Sequence, residues 1–283
     1  MRSDGAMKDE PDTLLTIAGT DPSGGAGIPV DLQVFRDFGF HGASAVSAIV
    51  VQNTAEVRRF EPVEPGLLGG QLEAVTDDLE LAGVKIGMLP TAAAVERLAG
   101  WLSAELTDVP VVVDPVMASG TGDARLNREG TVRAMIDSLL PRVDWLTPNV
   151  PEAERFLDRE VVDRAALHAA AADLRELGPE RVLLKSGHLP HGDAEGFSDV
   201  LAGPEETIDL EMLPAVDADV RGTGCQLSSA LVAVLADGDG RRTAVERARR
   251  YLNRLSHEQI ARVGQGRPVV VRGRAPFETP AEG

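Results

Sequence analysis

Short apolar runs alternate with segments of helical period along most of the chain. The apolar runs have the length of strands, and Gly, Pro or Asp residues bound them. Strands that are apolar on both faces are typical of parallel sheets covered by helices on each side. The predicted buried strands are residues 14–18, 43–51, 109–113, 144–147 and 182–185.

Most of the segments between these strands carry apolar residues at helical spacing. In one of them Leu167, Ala170, Ala171 and Leu174 fall on one face, and Gly178 ends the helix. Such alternation predicts parallel βαβ units, with helices on both faces of the sheet. Two helices close the predicted fold, over residues 224–236 and 242–262.

Two regions depart from the alternation. Residues 57–63 predict a short strand near the edge of the sheet. Residues 196–212 predict a hairpin of two short strands around the Gly203-Pro204 turn. These segments indicate that the parallel sheet ends in strands of a different kind.

The chain carries no Pro/Gly/Ser-rich linker and no internal repeat. We therefore expect one domain over residues 13–272, between a flexible N-terminal tail (1–12) and a C-terminal tail (273–283). In open α/β sheets, ligands bind beyond the carboxyl ends of the strands. The loops that follow the predicted strands are therefore the place to look for chemistry.

The chain is strongly acidic and poor in lysine. Its 283 residues include 28 Lys and Arg against 45 Asp and Glu, which gives a formal net charge of -17. Such a charge disfavours non-specific binding to a nucleic-acid backbone. Acidic, lysine-poor surfaces are typical of halophilic proteins, because concentrated salt screens their repulsion. A GC-rich genome that favours Arg and Ala codons explains the composition equally well, and the sequence leaves both interpretations open.

Several classes of protein are disfavoured by what the sequence lacks. Cys225 is the only cysteine, which excludes a disulfide framework and a cysteine-based metal cluster. The five histidines show no ligand spacing, so a zinc site is not expected. The first residues have no apolar signal-peptide core, and no run of 18 apolar residues exists. We expect a cytoplasmic protein without a membrane span.

A glycine-rich loop follows the first predicted strand. Residues 18–27 read AGTDPSGGAG, and the next helix is expected to begin near Pro29. Glycines let the backbone approach a ligand closely, and free amides there could hold a phosphate or a hydroxyl. The spacing matches neither a dinucleotide fingerprint nor a P-loop. A tight strand-to-helix connection is the structural alternative.

A second glycine motif leads directly into an apolar helix. Gly222, Thr223, Gly224 and Cys225 precede the run that begins at Leu227. Two glycines at a helix N-terminus form an anion hole, because free amides and the positive end of the dipole converge there. We expect the dipole to lower the pKa of the Cys225 thiol, so that the thiolate could take a proton from a substrate hydroxyl. A buried structural cysteine is the alternative.

Polar residues follow four further strands. Asn149 and Glu152 have the spacing of a helix capping box, which is a structural motif. The same spacing can also present a carboxylate to hydrated Mg²⁺. Asp114 and Lys185 also end strands, where a carboxylate and an ammonium suit metal and phosphate binding. Gln52 offers a paired donor and acceptor for a flat heterocycle, although a solvated loop amide fits its position too.

The motifs together resemble the hydroxymethylpyrimidine/phosphomethylpyrimidine kinases of thiamine biosynthesis, within the ribokinase-like superfamily. The segments that match run in order through nearly the whole chain, and the long first block and the GTGC motif are the most specific. They are TIAGTDPSGGAG at 16–27, VQNT at 51–54, KIGML at 85–89, DPVM at 114–117, TPN at 147–149 with PE at 151–152, Lys185 with GH at 187–188, and GTGC at 222–225.

The resemblance implies a fold and a reaction. The fold would be a ribokinase-like three-layer αβα sandwich with a mostly parallel central sheet. The reaction would use ATP and Mg²⁺ to phosphorylate the hydroxymethyl group of the pyrimidine and then the resulting monophosphate. Relatives of this kind are commonly homodimers.

The resemblance also implies roles for the matching residues. Cys225 would be the base, and the amides of Gly222, Thr223, Gly224 and Cys225 would stabilise the transferred phosphoryl group. Asp114 and Glu152 would serve the metal, and Lys185 and Asn149 the nucleotide. The residues implied for the pyrimidine pocket are Gln52, Gly19, Ala26, Met88 and Val116.

The sequence departs from the family pattern at several positions. Pro29, Ser186 and Gln226 replace residues that are usually polar, glycine and threonine, and Gly120 replaces a frequent Lys or polar residue. Arg221 stands directly before the GTGC motif, where histidine or a smaller residue is common. None of these differences removes a group implied for catalysis.

Three other functions compete with this interpretation. A pyridoxal or pyridoxine kinase also acts on a hydroxymethyl group of a flat ring, although the amide of Gln52 favours an aminopyrimidine edge. A non-catalytic pyrimidine-binding homologue would keep the fold without turnover. A sugar kinase is disfavoured by Cys225 and by the lack of a lid insertion after the first helix.

Overall fold

The computed structural model describes residues 11–105, 108–118, 126–187, 198–214, 216 and 218–272. Two sheets are present in this part of the chain. The larger sheet contains β1 (Thr13–Gly19), β2 (His41–Gln52), β3 (Val57–Pro62), β4 (Leu81–Ile86), β5 (Val111–Val113), β6 (Trp145–Leu146), β7 (Arg181–Leu184), β8 (Val200–Ala202) and β9 (Thr207–Asp209). A separate two-stranded sheet contains β10 (Ile260–Ala261) and β11 (Val269–Val270).

The helices connect most of these strands. They are α1 (Gly27–Asp37), α2 (Pro65–Thr76), α3 (Ala92–Glu105), α4 (Thr131–Ala134), α5 (Val150–Leu157), α6 (Arg164–Glu176), α7 (Thr223–Ala236) and α8 (Arg241–Glu258). A π-helical turn (Met135–Leu139) and a 3-10 turn (Leu140–Arg142) continue α4. None of the helices in the described ranges combines the length and the apolar character needed to cross a lipid bilayer.

The order of the large sheet is β3-β2-β1-β4-β5-β6-β7-β8-β9. Neighbouring strands from β2 to β7 pair in parallel. The strands β3, β8 and β9 pair antiparallel at the two edges. The predicted mostly parallel sheet is therefore confirmed, and so are the edge strand and the hairpin, apart from residues 196 and 197, which lie outside the described ranges.

Helices cover both faces of the sheet, as the apolar strands predict. On one face α2, α3, α5 and α6 pack on strand residues such as Leu15 and Val113. On the other face α1, α7 and α8 pack on Leu14 and Val112. Successive residues of a strand point to opposite faces, so each short strand serves both cores. This arrangement is the three-layer sandwich, and it brings the carboxyl ends of the parallel strands to one edge.

Two predictions about elements were wrong. Strand β4 was not predicted, because Gly83 and Lys85 interrupt its apolar pattern, yet it lies between β1 and β5 in the centre of the sheet. Helix α8 ends at Glu258 and not at residue 262. The residues after it form β10, whose Ile260 pairs with Val270 of β11, so tertiary pairing overrides the helical pattern there.

The predicted tails lie largely outside the described ranges. Of the N-terminal tail only residues 11 and 12 are described, and residues 273–283 are not. Gly120 and His188, which the comparison with the family pattern singled out, also lie outside the described ranges.

Candidate active site

A cavity of about 390 Å³ lies at the carboxyl ends of the parallel strands. Every residue predicted for the site lines this cavity, although the residues come from all parts of the chain. They are Gly19, Ala26, Gln52, Met88, Asp114, Val116, Asn149, Glu152, Lys185, Gly222, Thr223, Gly224 and Cys225. The position agrees with the general rule for ligand sites in open α/β sheets.

The N-terminus of α7 forms one wall of the cavity. Gly222 precedes the helix with a φ of 76°, and its carbonyl accepts the amide of Gln226. The amides of Thr223, Gly224 and Cys225 belong to the first turn, where no helical carbonyl is available to them. Three donors and the positive end of the helix dipole therefore converge on the cavity and can bind a phosphoryl oxygen.

The protonation state of Cys225 differs from the prediction. Burial raises the pKa of its thiol to about 12, against the lowering influence of the Lys85 ammonium and of a backbone hydrogen bond from Gly27. The carboxylates of Asp114 and Asp31 raise the pKa further. Burial outweighs the influences that lower the pKa, so the folded protein favours the neutral thiol at neutral pH.

The carboxylate of Asp21 organises the first glycine loop. One carboxylate oxygen of Asp21 accepts the amide and the hydroxyl of Ser23 at 2.9 and 2.7 Å, and the other accepts the amide of Gly25 at 3.2 Å. Asp21 therefore occupies the amides of Ser23 and Gly25, so these two amides are not available to a phosphate or a hydroxyl. The loop contributes instead the amide of Gly27, which donates to Cys225.

Asn149 and Glu152 form the predicted capping box at the start of α5. The side chain of Asn149 accepts the amide of Glu152, and the side chain of Glu152 accepts the amide of Asn149, each at 2.9 Å. Glu152 also lines the cavity. Burial raises the pKa of Glu152 to about 7, and Asp114 adds to this rise while Lys185 opposes it. The predicted capping box is therefore confirmed, and it holds the Glu152 carboxylate in the wall of the cavity.

Asp114 and Lys185 form an ion pair next to the anion hole, with Nζ 3.0 Å from Oδ1. Burial alone would lower the pKa of Lys185, but Asp114 and Glu152 raise it above its ordinary value, so the ammonium stays charged. A Cβ built on Gly224 would lie 3.3 Å from Nζ of Lys185 and 3.4 Å from Oδ2 of Asp114. The pair therefore stands directly against the first turn of α7.

A buried ion pair that was not predicted lies beneath this wall. The Nζ atom of Lys85 is 2.8 Å from Oδ2 of Asp31, and both side chains are fully buried. Asp31 also accepts the hydroxyls of Thr16 and Ser229, at 2.6 and 2.8 Å. The Asp31 charge raises the pKa of Lys85 above its ordinary value, although burial opposes this. A lysine inside an apolar run was the one signal of such a pair in the sequence.

Gln52 ends β2 and lines the cavity. Its Nε2 donates to the carbonyl of Thr20 at 3.2 Å, and its Oε1 accepts from Nη2 of Arg221 at 2.6 Å. The neighbouring Asn53 is a turn residue, since its side chain accepts the amides of Ala55 and Glu56. Arg221 stood out in the sequence only because it departs from the family pattern, and no role was predicted for this residue. In the structure Arg221 lines the cavity.

Apolar side chains also line the cavity. Met88 is buried, and Val116 packs against the same small cluster. A Cβ on Gly19 would lie 3.0 Å from the sulfur of Met88, so the strand backbone itself forms part of this wall. A flat apolar ring fits such surroundings, because broad nonpolar walls with a few fixed polar groups are typical of small-molecule sites.

Oxygen ligands in the cavity suit a hard divalent cation. Asp114 and Glu152 are the carboxylates beside the anion hole, and both are largely buried. The ranges described contain no group of three or more His, Cys, Asp or Glu side chains that could hold a metal ion. Mg²⁺ does not need such a group, since it is usually held by one or two carboxylates together with phosphates and water. The donor set therefore fits Mg²⁺ that arrives with a nucleotide.

Comparison with known proteins identifies similar sequences. The sequence profile of the family described as phosphomethylpyrimidine kinase matches residues 21–270. A hydroxymethylpyrimidine/phosphomethylpyrimidine kinase from Haemophilus influenzae is 37% identical over 258 residues, which covers 89% of this chain and 93% of the relative.

Solved structures are similar over the same region. A phosphomethylpyrimidine kinase from Clostridium difficile superposes with a TM-score of 0.74 at 33% identity, covering 86% of this chain and 98% of the other. A pyridoxal kinase from Bacillus subtilis, solved as an ADP complex, superposes with a TM-score of 0.78 at 29% identity, covering 92% and 97%. The two ring specificities therefore occur on one fold.

Proposed function

The chain belongs to the phosphomethylpyrimidine kinase family, and we propose that it phosphorylates 4-amino-5-hydroxymethyl-2-methylpyrimidine with ATP in thiamine biosynthesis. The same site would then phosphorylate the monophosphate to the diphosphate. The relative from Haemophilus influenzae is named for both steps. Both transfers place an acceptor oxygen at the same helix N-terminus, so one cavity suffices for them.

The observation that carries the proposal is the position of Cys225. This residue lies in the first turn of α7, and it lines the same cavity as the anion-binding amides, Met88 and Val116. A ring held against Met88 and Val116, with its edge toward Gln52, directs its hydroxymethyl group to the thiol and the amides. This arrangement is what transfer of a phosphoryl group to a hydroxyl requires, since such catalysis depends mostly on positioning and electrostatic stabilisation.

The proposed transfer makes one bond and breaks one bond. The hydroxymethyl oxygen bonds to the γ-phosphorus as the bond between that phosphorus and the bridging oxygen of ADP breaks. Cys225 takes the hydroxyl proton, and the amides of residues 223–225 stabilise the charge on the equatorial oxygens. Cys225 needs its thiolate form for this step, which the protein alone disfavours.

The surroundings of Cys225 indicate how its proton is lost. Asp114 and Asp31 raise the pKa of the thiol, whereas Lys85 lowers it. Asp31 is paired with Lys85 at 2.8 Å and Asp114 with Lys185 at 3.0 Å, but only Asp114 is a proposed ligand of the cation. The pKa of the Cys225 thiol would fall when a cation binds to Asp114, so the fraction of thiolate would rise when the reactants are in place.

Mg²⁺ and ATP would be held by Asp114, Glu152 and Lys185, which line the cavity together with the anion hole. Asp114 and Glu152 are the carboxylates for the cation, which would supply charge neutralisation at the phosphate oxygens. Lys185 stays protonated beside Asp114 and would contact the nucleotide phosphates. Asn149 fixes the carboxylate of Glu152 through the capping box, so the cation ligand is held in place by α5.

We also infer that the protein forms a homodimer. Ile49 and Val51 of β2 are 50% and 39% exposed, although they are apolar side chains near the edge of the sheet. Exposed apolar side chains of this kind are often covered by association. Light scattering coupled to size exclusion tests the inference directly, and a mass of about 30 kDa at all concentrations would contradict it.

The test of the proposed function is product mass after incubation with Mg²⁺ and ATP. The pyrimidine and pyridoxal are supplied in parallel reactions at high KCl. We expect addition of one and then two phosphates to the pyrimidine, and both additions should be lost in Cys225→Ala. Phosphate on pyridoxal alone would assign the protein to vitamin B6 metabolism, and phosphate on neither ring would make it a binding protein.

A further inference from the structure

Arg221 lies in the wall of the cavity beside Gln52, where it connects three segments of the chain. Its backbone amide donates to the carbonyl of Pro268 at 2.9 Å. Its Nη2 donates to Oδ2 of Asp21 at 3.2 Å and to Oε1 of Gln52 at 2.6 Å. The side chain is only 5% exposed, so the guanidinium has little freedom to leave these acceptors.

The contact with Arg221 fixes which way the amide of Gln52 faces. A guanidinium carries only donors, so the atom of Gln52 next to it must be the carbonyl oxygen. The other atom, Nε2, then faces the carbonyl of Thr20 and donates to it. If the amide were flipped, its Nε2 would face the Arg221 donor and its Oε1 would face the Thr20 carbonyl. Both neighbours therefore exclude the flipped amide.

The fixed amide offers its remaining hydrogen-bond donor and acceptor in a fixed arrangement. Nε2 has a second hydrogen and Oε1 a second lone pair, and Gln52 lines the cavity. A ring edge that binds both must carry an acceptor beside a donor, as the ring nitrogen and amino group of an aminopyrimidine do. A pyridine ring without the amino group satisfies only one of the two.

We propose that Arg221 is a positioning residue for Gln52 and that it sets the preference of the site for an aminopyrimidine edge. This inference rests on the proposed function, in which Gln52 binds the substrate ring. Arg221 acts through Gln52 in this account and does not itself touch the reacting atoms. Its bond to Gln52 is charge-assisted, which makes it stronger than an ordinary side-chain hydrogen bond.

Arg221 also balances the charge of Asp21, and the test must separate the two roles. The Asp21 carboxylate is fully buried, so removing Arg221 leaves an unpaired buried charge and destabilises the first loop. A loss of activity in Arg221→Met would therefore be ambiguous on its own. Asp21→Asn separates the roles, because it removes the charge and keeps the contact between Arg221 and Gln52.

The central experiment is a double-mutant cycle of Arg221→Met and Gln52→Ala. We expect Arg221→Met to raise the KM for the pyrimidine about 10-fold, with kcat and the KM for ATP unchanged within about twofold. In the Gln52→Ala background the same substitution should change the pyrimidine KM less than about twofold. An equal effect in both backgrounds would show that Arg221 does not act through Gln52 and would overturn the proposal.

Further variants keep the test decisive if Arg221→Met folds poorly. Asp21→Asn combined with Arg221→Met has no unpaired buried charge and should show the same rise in pyrimidine KM, whereas Asp21→Asn alone should not. Arg181→Met is the matched control, because its guanidinium lies over the ring of Trp145 and outside the cavity. It should lower the Tm without changing any KM.

The ratio of the two ring substrates distinguishes the possible failures. Arg221→Met should narrow the difference in kcat/KM between the pyrimidine and pyridoxal, because a rotating amide no longer favours one edge. A wild-type protein that phosphorylates only pyridoxal would refute the proposed function and this inference together. A wild-type protein that prefers the pyrimidine, with a ratio unchanged in the variant, would refute the inference alone.

Discussion

The carbonyl oxygen of Gly25 lies where the side chain of residue 222 would begin, so a Cβ on Gly222 would overlap it. Gly222 also has a φ of 76°, which residues with a side chain rarely adopt. The two glycines therefore let the first loop and the start of α7 touch backbone to backbone. This contact sets the distance between the loop amide that reaches Cys225 and the amides of the anion hole.

Substituting Gly222 should damage the site more than the fold. We expect Gly222→Ala to lower kcat/KM for ATP by about 100-fold or more, because the first-turn amides move out of position. Gly238→Ala is the matched control, since Gly238 has a φ of 86° with open space around it. It should cost about 1 kcal/mol of stability and leave the kinetics unchanged. Equal kinetic effects of the two substitutions would contradict this account.

Removing the thiol should separate turnover from binding. We expect Cys225→Ala to lower kcat by about 100-fold or more, as loss of a general base does. The pyrimidine Kd, measured by calorimetry, should stay within about twofold, because the ring is held by other residues. Unchanged turnover would refute the role of Cys225 as the base.

The thiol should react slowly with alkylating agents below strongly alkaline pH. Its pKa is raised from 9.0 to about 12, so at any lower pH the folded protein holds less thiolate than the unfolded chain. We expect the rate of iodoacetamide labelling to keep rising through pH 10 without a plateau. The same chain in urea provides the control, with a midpoint near the ordinary thiol pKa. A plateau below pH 8 in the folded protein would show a thiolate that the structure does not support.

The stability that the buried pair of Lys85 and Asp31 contributes should require both side chains. We expect Lys85→Met to lower the free energy of unfolding by about 3–5 kcal/mol, because it leaves a buried carboxylate unpaired. Adding Asp31→Asn should recover a large part of this loss. Arg133→Met breaks an exposed pair with Asp137 and should cost less than about 1 kcal/mol. Urea denaturation measures all four proteins, and a loss that Asp31→Asn does not relieve would argue against charge as its cause.

Salt should stabilise the protein if its acidity is an adaptation to salt. The formal net charge of -17 implies self-repulsion, which ions screen. We expect the Tm to rise between about 0.05 and about 2 M KCl. A flat or falling Tm would favour the explanation by codon usage.

The sequence was sufficient to predict the parts of the fold that depend on local pattern. Apolar strands between amphipathic helices predicted the layers, because burial on both faces leaves a continuous apolar run. Strand β4 was not predicted because Lys85 interrupts its apolar pattern. The charge is tolerated there only because Asp31 of α1 meets it, and this partner lies 54 residues away in the sequence.

The candidate site shows the same division. The glycine motif at 222–225 and the polar residues at strand ends could be placed from the sequence, since each follows a local rule. The pKa of Cys225 and the role of Arg221 could not be. Both depend on what packs around the residue, and the partner Asp21 is 200 residues from Arg221.

The packing of α1 against α7 has a consequence for the newly made chain. Helix α1 buries Val30, Val34 and Phe35 in a core shared with α7, and its Asp31 bonds to Ser229, which is 198 residues later. At translation rates of about 5–20 residues per second, that interval lasts about 10–40 s. During this time one face of the growing sheet has no cover from α7, and chaperones can bind it. The cavity, which the first turn of α7 lines, can therefore form only after α7 has been synthesised.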